Sequence, residues 1–143
     1  MPYVKETTID ASPDEVFDYV SDLEKHGEWG AHDNSVTRRD DSPIAVGKVY
    51  DSLGHQFGTQ KAVVTVIDYT PGKRFGYEST GKIGVVRHAF DLAPSGDGTH
   101  VTKTMDIVKP SFVTTLMKPM IARKAPPGLE EDLRRIKAKL EGA

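Results

Sequence analysis

The sequence predicts an α+β fold. A curved antiparallel sheet of about seven strands wraps a long C-terminal helix, and two short helices follow the first strand. Three observations carry this expectation. Ser12-Pro13-Asp14-Glu15 is a compact helix start. Between residues 48 and 108, strand-like runs are joined by connections too short for parallel crossovers. After Pro110, apolar residues recur at helical rather than strand spacing.

The elements follow in order. Residues 3–10 alternate as a first strand. Ser12 is a good N-cap, Pro13 suits the first helical position, and Glu15 completes a capping box. Val16, Phe17 and Val20 share one face of a helix over 13–20, and a second short helix is expected over 22–28. Residues 34–41 read as a charged edge strand. Ser42 to Gly47 reads as a turn. Further strands are expected at 48–54, 59–69, 73–79, 84–93 and 99–108, with Lys61 to Tyr69 richest in β-branched residues. Pro71-Gly72 and Ser95-Gly96-Asp97-Gly98 mark tight connections.

In the C-terminal region Phe112, Leu116 and Met120 recur at helical spacing, joined by Val113, Met117 and Ile121. Leu129, Leu133, Ile136 and Leu140 continue the stripe. Pro119 is expected to kink this helix, and Pro126-Pro127-Gly128 to break or restart it.

The bulk numbers narrow the class. The 143 residues suit one domain over 1–143 with one core. A hydrophobic share of 37% with 28% charged residues fits an ordinary globular protein. A formal net charge of -2 leaves no electrostatic footprint for nucleic acid. The absence of cysteine excludes disulfides and thiol chemistry. No apolar run reaches the roughly 18 residues of a membrane span, and the N-terminus has no basic-then-apolar leader. The expectation is a cytoplasmic protein with no stable membrane insertion.

The order of elements, together with several local motifs, resembles the START-like (SRPBCC) superfamily and its helix-grip fold. The likeness is nearest the bacterial polyketide cyclase/dehydrase branch. The residues that carry it are TIDASPDEVFDYVSD at 8–22, Glu28-Trp29, Val46-Gly47-Lys48-Val49-Tyr50, the run Tyr69 to Phe75, the run Gly98 to Thr102, and Leu133 to Glu141. The resemblance implies a cavity between sheet and C-terminal helix. It also implies a cavity tryptophan, which Trp29 matches, and a strand arginine. Around Ile67 to Tyr69, where that arginine is expected, the chain has Asp68 and Tyr69.

Several residues admit a plain role beside a functional one. Gly76 to Ile83 nearly spells a phosphate-binding loop. It lacks the hydroxyl after Lys82 and runs into a valine-rich strand, so a hairpin is the better account. His26, His32, His55, His88 and His100 form no ligand spacing, and neither a metal nor a cofactor is expected. His88 alternates in register with Val86, Phe90 and Leu92. It is either a satisfied core histidine or a polar group inside a cavity. Lys103 interrupts Val101, Met105 and Ile107. A rim position is favoured because an unpaired buried ammonium is costly; an inward one would need an acidic partner or an anionic ligand. Trp29 is either packing or a ligand contact at the cavity mouth. Met105, Met117 and Met120 are core or adaptable lining. Arg123-Lys124 and Arg134-Arg135, near Glu130, Glu131 and Asp132, read as a solvated helix face.

The candidate cavity residues are therefore Trp29, Tyr50, Tyr77, His88, Phe90, Lys103, Met105, Phe112, Leu116 and Met120. No nucleophile–base pair is legible, so no catalytic residue is assigned. The expected function is binding of a small hydrophobic molecule, aromatic, polyketide-like or lipid-like. The alternatives are a polyketide aromatase/cyclase or dehydratase-like enzyme, and an interaction or co-chaperone-like module, such as a homodimer, using Met117 and Ile121.

Overall fold

The structure, a computed structural model, describes residues 2–30, 34–54, 60–82 and 84–142. His32 and His55, and the Ile83 position of the loop-like motif, lie outside the described residues.

Strand β1 (Tyr3–Ile9) leads into helix α1 (Pro13–Ser21). The Ser12 hydroxyl accepts the Glu15 amide at 3.2 Å and donates to the Glu15 carboxylate at 3.1 Å. The helix start is therefore fixed locally, as the sequence predicts. A 3-10 turn (Leu23–Lys25) and the short helix α2 (His26–Trp29) follow. Six more strands come next: β2 (Asn34–Arg38), β3 (Val49–Gly54), β4 (Gln60–Thr70), β5 (Arg74–Gly81), β6 (Gly84–Ser95) and β7 (Gly98–Pro110). Helices α3 (Phe112–Leu116) and α4 (Lys118–Leu140) close the chain.

All seven strands form one antiparallel sheet in the order β1-β7-β6-β5-β4-β3-β2. Two irregularities bend it. Register slips between Val66 and Asp68 on β4, leaving Ile67 over, and between Val85 and Val86 on β6, leaving Val108 of β7 over. An extra residue on one strand deepens the local twist, and these two curl the sheet around α4. Strands β5 and β6 form a hairpin, with Gly81 paired to Gly84.

The concave face carries Val64 and Val66, Phe75 and Tyr77, Val86 and Phe90, and Val101 and Lys103, all buried and spaced by even numbers of residues along their strands. At the α1 end it is filled. Phe17 meets Tyr69 and Phe75 edge-on at centroid distances of 5.3 and 6.3 Å. The C-terminal half of α4 packs there through Leu129, Leu133 and Ile136. It is pinned by Arg135, which donates to the Gly30 carbonyl at 2.7 Å, and by the Lys5–Glu130 ion pair at 2.6 Å.

The closing helix departs from expectation. The chain does break, but at Met117, between α3 and α4. Pro119 sits in the first turn of α4, where its missing N–H costs nothing, so it starts the helix instead of kinking it. Pro126 and Pro127 lie inside α4, which continues through them to Leu140. The carbonyls they leave without helical donors belong to Ala122 and Arg123, both exposed residues.

Candidate functional site

Between the concave face and the N-terminal half of α4 the core is hollow. A cavity of about 270 Å³ opens there. Its sheet walls are Val64 of β4, Tyr77 and Ser79 of β5, Val86 and His88 of β6, and Lys103, Met105 and Ile107 of β7. The roof is Met117, Met120, Ile121 and Leu129, and Leu23 and His26 close the inner side. On β3, β4 and β5 the wall residues toward Gly81 are small: Ser52, Gly54, Ala62, Val64, Ser79 and Gly81.

The inner end is polar. Lys103 is 1% exposed. Its Nζ donates to Asp132 Oδ2 at 2.7 Å and lies 4.7 Å from the Trp29 ring centre and 5.1 Å from that of Phe90. An ammonium held between a carboxylate and two aromatic faces is compensated without water. Tyr77 and His88 pair across β5 and β6, and their rings stack at 4.9 Å. The Tyr77 hydroxyl and His88 Nδ1 are buried and have no hydrogen-bond partner among the described residues. Burial, then the nearby Asp132 charge, pushes the Tyr77 hydroxyl far up, so it stays protonated. Burial, then Lys103 and His26, pushes His88 well below the usual histidine range, so the imidazole is neutral.

Of the residues named from the sequence, Tyr77, His88, Lys103, Met105 and Met120 line the cavity. Lys103 is not at the rim, because Asp132 supplies the acidic partner that inward placement requires. Trp29 is not at a mouth. It is fully buried, edge-on to Phe90 at 5.5 Å, and both rings lie behind Lys103. Tyr50 is buried in the packed core outside the cavity walls, and burial raises its hydroxyl to about 12. Phe112 and Leu116 are 77% and 66% exposed, because the break at Met117 turns α3 away from the stripe of α4. Met117 and Ile121, candidates for a partner surface, face the cavity instead.

Sequence reasoning missed Asp132 by placing it with the solvated acids of α4. The signal was present. Asp132 lies three residues after Leu129 and four before Ile136, on the buried stripe. His26 was also missed; its ring packs on Trp29 at 4.3 Å. No cluster of acidic or histidine side chains suited to a metal ion exists among the described residues.

The model of the family described as polyketide cyclase / dehydrase and lipid transport matches residues 1–141. No curated protein matches the sequence. Solved structures share the fold at low identity. A protein of Thermus thermophilus is 15% identical with a TM-score of 0.79, covering 98% of this chain and 97% of its own. A protein of Chromobacterium violaceum is 15% identical with a TM-score of 0.77, covering 99% of each chain. The di-domain ARO/CYC StfQ from the steffimycin biosynthetic pathway is 14% identical with a TM-score of 0.76. The match covers 98% of this chain and 50% of StfQ.

Proposed function

Because the chain belongs to the polyketide cyclase/dehydrase and lipid transport family, we propose that it binds a small hydrophobic molecule, aromatic, polyketide-like or lipid-like, between the sheet and α4. The observation that carries this reading is the cavity of about 270 Å³. It has apolar walls and an inner end where the Tyr77 hydroxyl and His88 Nδ1 lack partners among the described residues. Buried polar groups are normally satisfied, and two orphans side by side at the wall of a cavity suit a bound hydroxyl or carbonyl. The neutral imidazole offers an acceptor or a donor according to its tautomer, and the phenol offers both. Met105 and Met120 supply a wall that adapts to ligand shape.

Native mass spectrometry of the purified protein, with organic extraction of whatever travels with it, tests this directly. A stoichiometric apolar adduct is the expected result. A clean apo mass, together with indifference to a panel of fluorescent lipophiles, would remove the reading.

A cyclase or dehydratase-like enzyme is the second reading, favoured by the stacked Tyr77–His88 pair and by the likeness to StfQ. Holding a poly-ketone chain in a shaped cavity is itself a route to catalysis. The environment of His88 weighs against a proton-abstracting role: a base held well below the usual histidine range is weak at neutral pH. Turnover of a poly-ketone substrate that is lost in His88→Ala and kept in the exposed-surface variant Lys73→Gln would favour the enzyme.

A further inference from the structure

Helix α3 inverts the usual burial pattern. Its start is fixed locally: the Ser111 hydroxyl accepts the Thr114 amide at 3.3 Å, and the Thr115 hydroxyl donates to the Ser111 carbonyl at 3.1 Å. Thr114 is the residue packed inward. Phe112 and Leu116, each about 200° around the helix from Thr114, are 77% and 66% exposed. A helix that docks on its own protein through an apolar face would bury those two. This one hides a threonine and presents a phenylalanine and a leucine.

Cations gather around the apolar pair. Residues 107–129 contain Lys109, Lys118, Arg123 and Lys124 and no Asp or Glu. In a chain of formal net charge -2 this is a local excess. The sheet brings in a further lysine. Gly84 pairs with Pro110, and the Ser111 amide nitrogen lies 2.9 Å from where a Gly84 Cβ would stand. Lys82, two residues before Gly84, is thereby held near the start of α3. Lys82, Lys109, Lys118 and Arg123 are exposed and have no ion pair among the described residues. Lys124 lines the cavity. The acids that bracket the stretch are Asp106, opposite Arg87 in the β6–β7 register, and Glu130, paired with Lys5 at 2.6 Å.

We infer that α3 is a peripheral docking element for an anionic lipid bilayer. Phe112 and Leu116 enter the boundary between headgroups and acyl chains, and the surrounding cations lie against the headgroups. A second copy of the chain fits this face less well. A twofold contact would set the same cations against themselves, and a helix of about 7.5 Å offers little toward the roughly 800 Å² per partner of a stable interface. A bilayer asks only for a small apolar wedge with positive charge beside it. Met117 of the cavity roof follows Leu116 directly, so docking sets the roof against the membrane.

The test is flotation with vesicles of phosphatidylcholine alone and of phosphatidylcholine with phosphatidylglycerol in equal parts. The protein is used as wild type, as Phe112→Ser/Leu116→Ser and as Lys109→Gln/Lys118→Gln. All four side chains are exposed, an unchanged thermal midpoint reports intact folding, and the lysine pair probes the face without altering its apolar residues. The expected result is flotation with the anionic vesicles and not the neutral ones, weakened about tenfold or more in each variant and also by raised salt. No flotation with anionic vesicles overturns the inference, as does equal flotation with neutral ones or binding undiminished in Phe112→Ser/Leu116→Ser. A dimer seen by sedimentation, lost in that variant and unaccompanied by vesicle binding, would assign the face to a second copy and overturn it too. Docking is independent of what the cavity holds: a protein that floats with anionic vesicles yet takes up no lipophilic dye would keep this role for α3 and lose the ligand-binding one.

Discussion

The Lys103 ammonium on β7 lies 2.7 Å from the Asp132 carboxylate on α4, with the faces of Trp29 and Phe90 within 4.7 and 5.1 Å. One buried ion pair thus joins sheet, closing helix and the short helix α2 at the inner wall of the cavity. Removing one partner strands the other charge where water does not reach.

Asp132→Leu should therefore cost about 3–5 kcal/mol of stability, and Lys103→Met a comparable amount. The double variant should be more stable than either single one, by more than about 2 kcal/mol, because two apolar side chains can replace a buried pair at little net cost. Urea unfolding of the four proteins closes the cycle. Additive losses would show that the pair is not coupled.

His88 gives the protein a pH dependence of predictable sign. Its folded-state pKa is depressed by burial, Lys103 and His26, so the unfolded chain binds the proton more readily. Stability should be flat above the unfolded histidine value of about 6.5 and fall as pH drops below it. Glu131, held at about 2 by Arg134 and Arg135, contributes stability that is lost only as pH falls from about 4.5 toward that value. His88 therefore contributes to the slope between about pH 6.5 and 5, and His88→Gln should reduce it in a series of thermal melts.

Tyr77→Phe removes a buried hydroxyl that has no partner among the described residues. Stability of the ligand-free protein should rise by about 1 kcal/mol, since an unsatisfied buried group is costly. Affinity for a ligand bearing a hydroxyl or carbonyl should fall several-fold. Calorimetric binding beside denaturant melts would separate the two effects. A loss of stability instead would mean the hydroxyl is satisfied in solution.

Gly84 opens β6 with φ +99, and a Cβ there would overlap the Lys109 carbonyl oxygen. Gly96 also has positive φ, at +58, but a Cβ would meet nothing within 4 Å. Gly96→Ala should cost about 1 kcal/mol, the left-handed backbone penalty alone. Gly84→Ala should cost well beyond that, because the β6–β7 ladder has to shift. Thermal melts of the pair measure the difference.

The parts of the fold that were legible in the sequence rest on local chemistry. Ser12, Pro13 and Glu15 cap α1 within four residues of chain, and alternation set the inward faces of β6 and β7. His88 and Lys103 could be placed on the concave face for that reason. Their partners could not. Asp132 is 29 residues from Lys103, and only the docking of α4 brings them together. The helices at the end misled because proline rules describe an isolated helix. Pro119 falls in a first turn only if the chain has already broken at Met117, and that break is also what leaves Phe112 and Leu116 outside.

Pro126 and Pro127 have a consequence for cooperativity. The hydrogen-bond ladder of α4 misses two successive rungs at that turn, between the cavity roof and the segment pinned by Arg135 and Glu130. The two segments share a chain but not a continuous ladder, and only the second is tied to the packed core. Amide exchange should divide α4 accordingly, with fast exchange over 120–125 and slow exchange over 129–136. That pattern would mark the segment before Pro126 as its own sub-global unit, opening while the sheet stays folded.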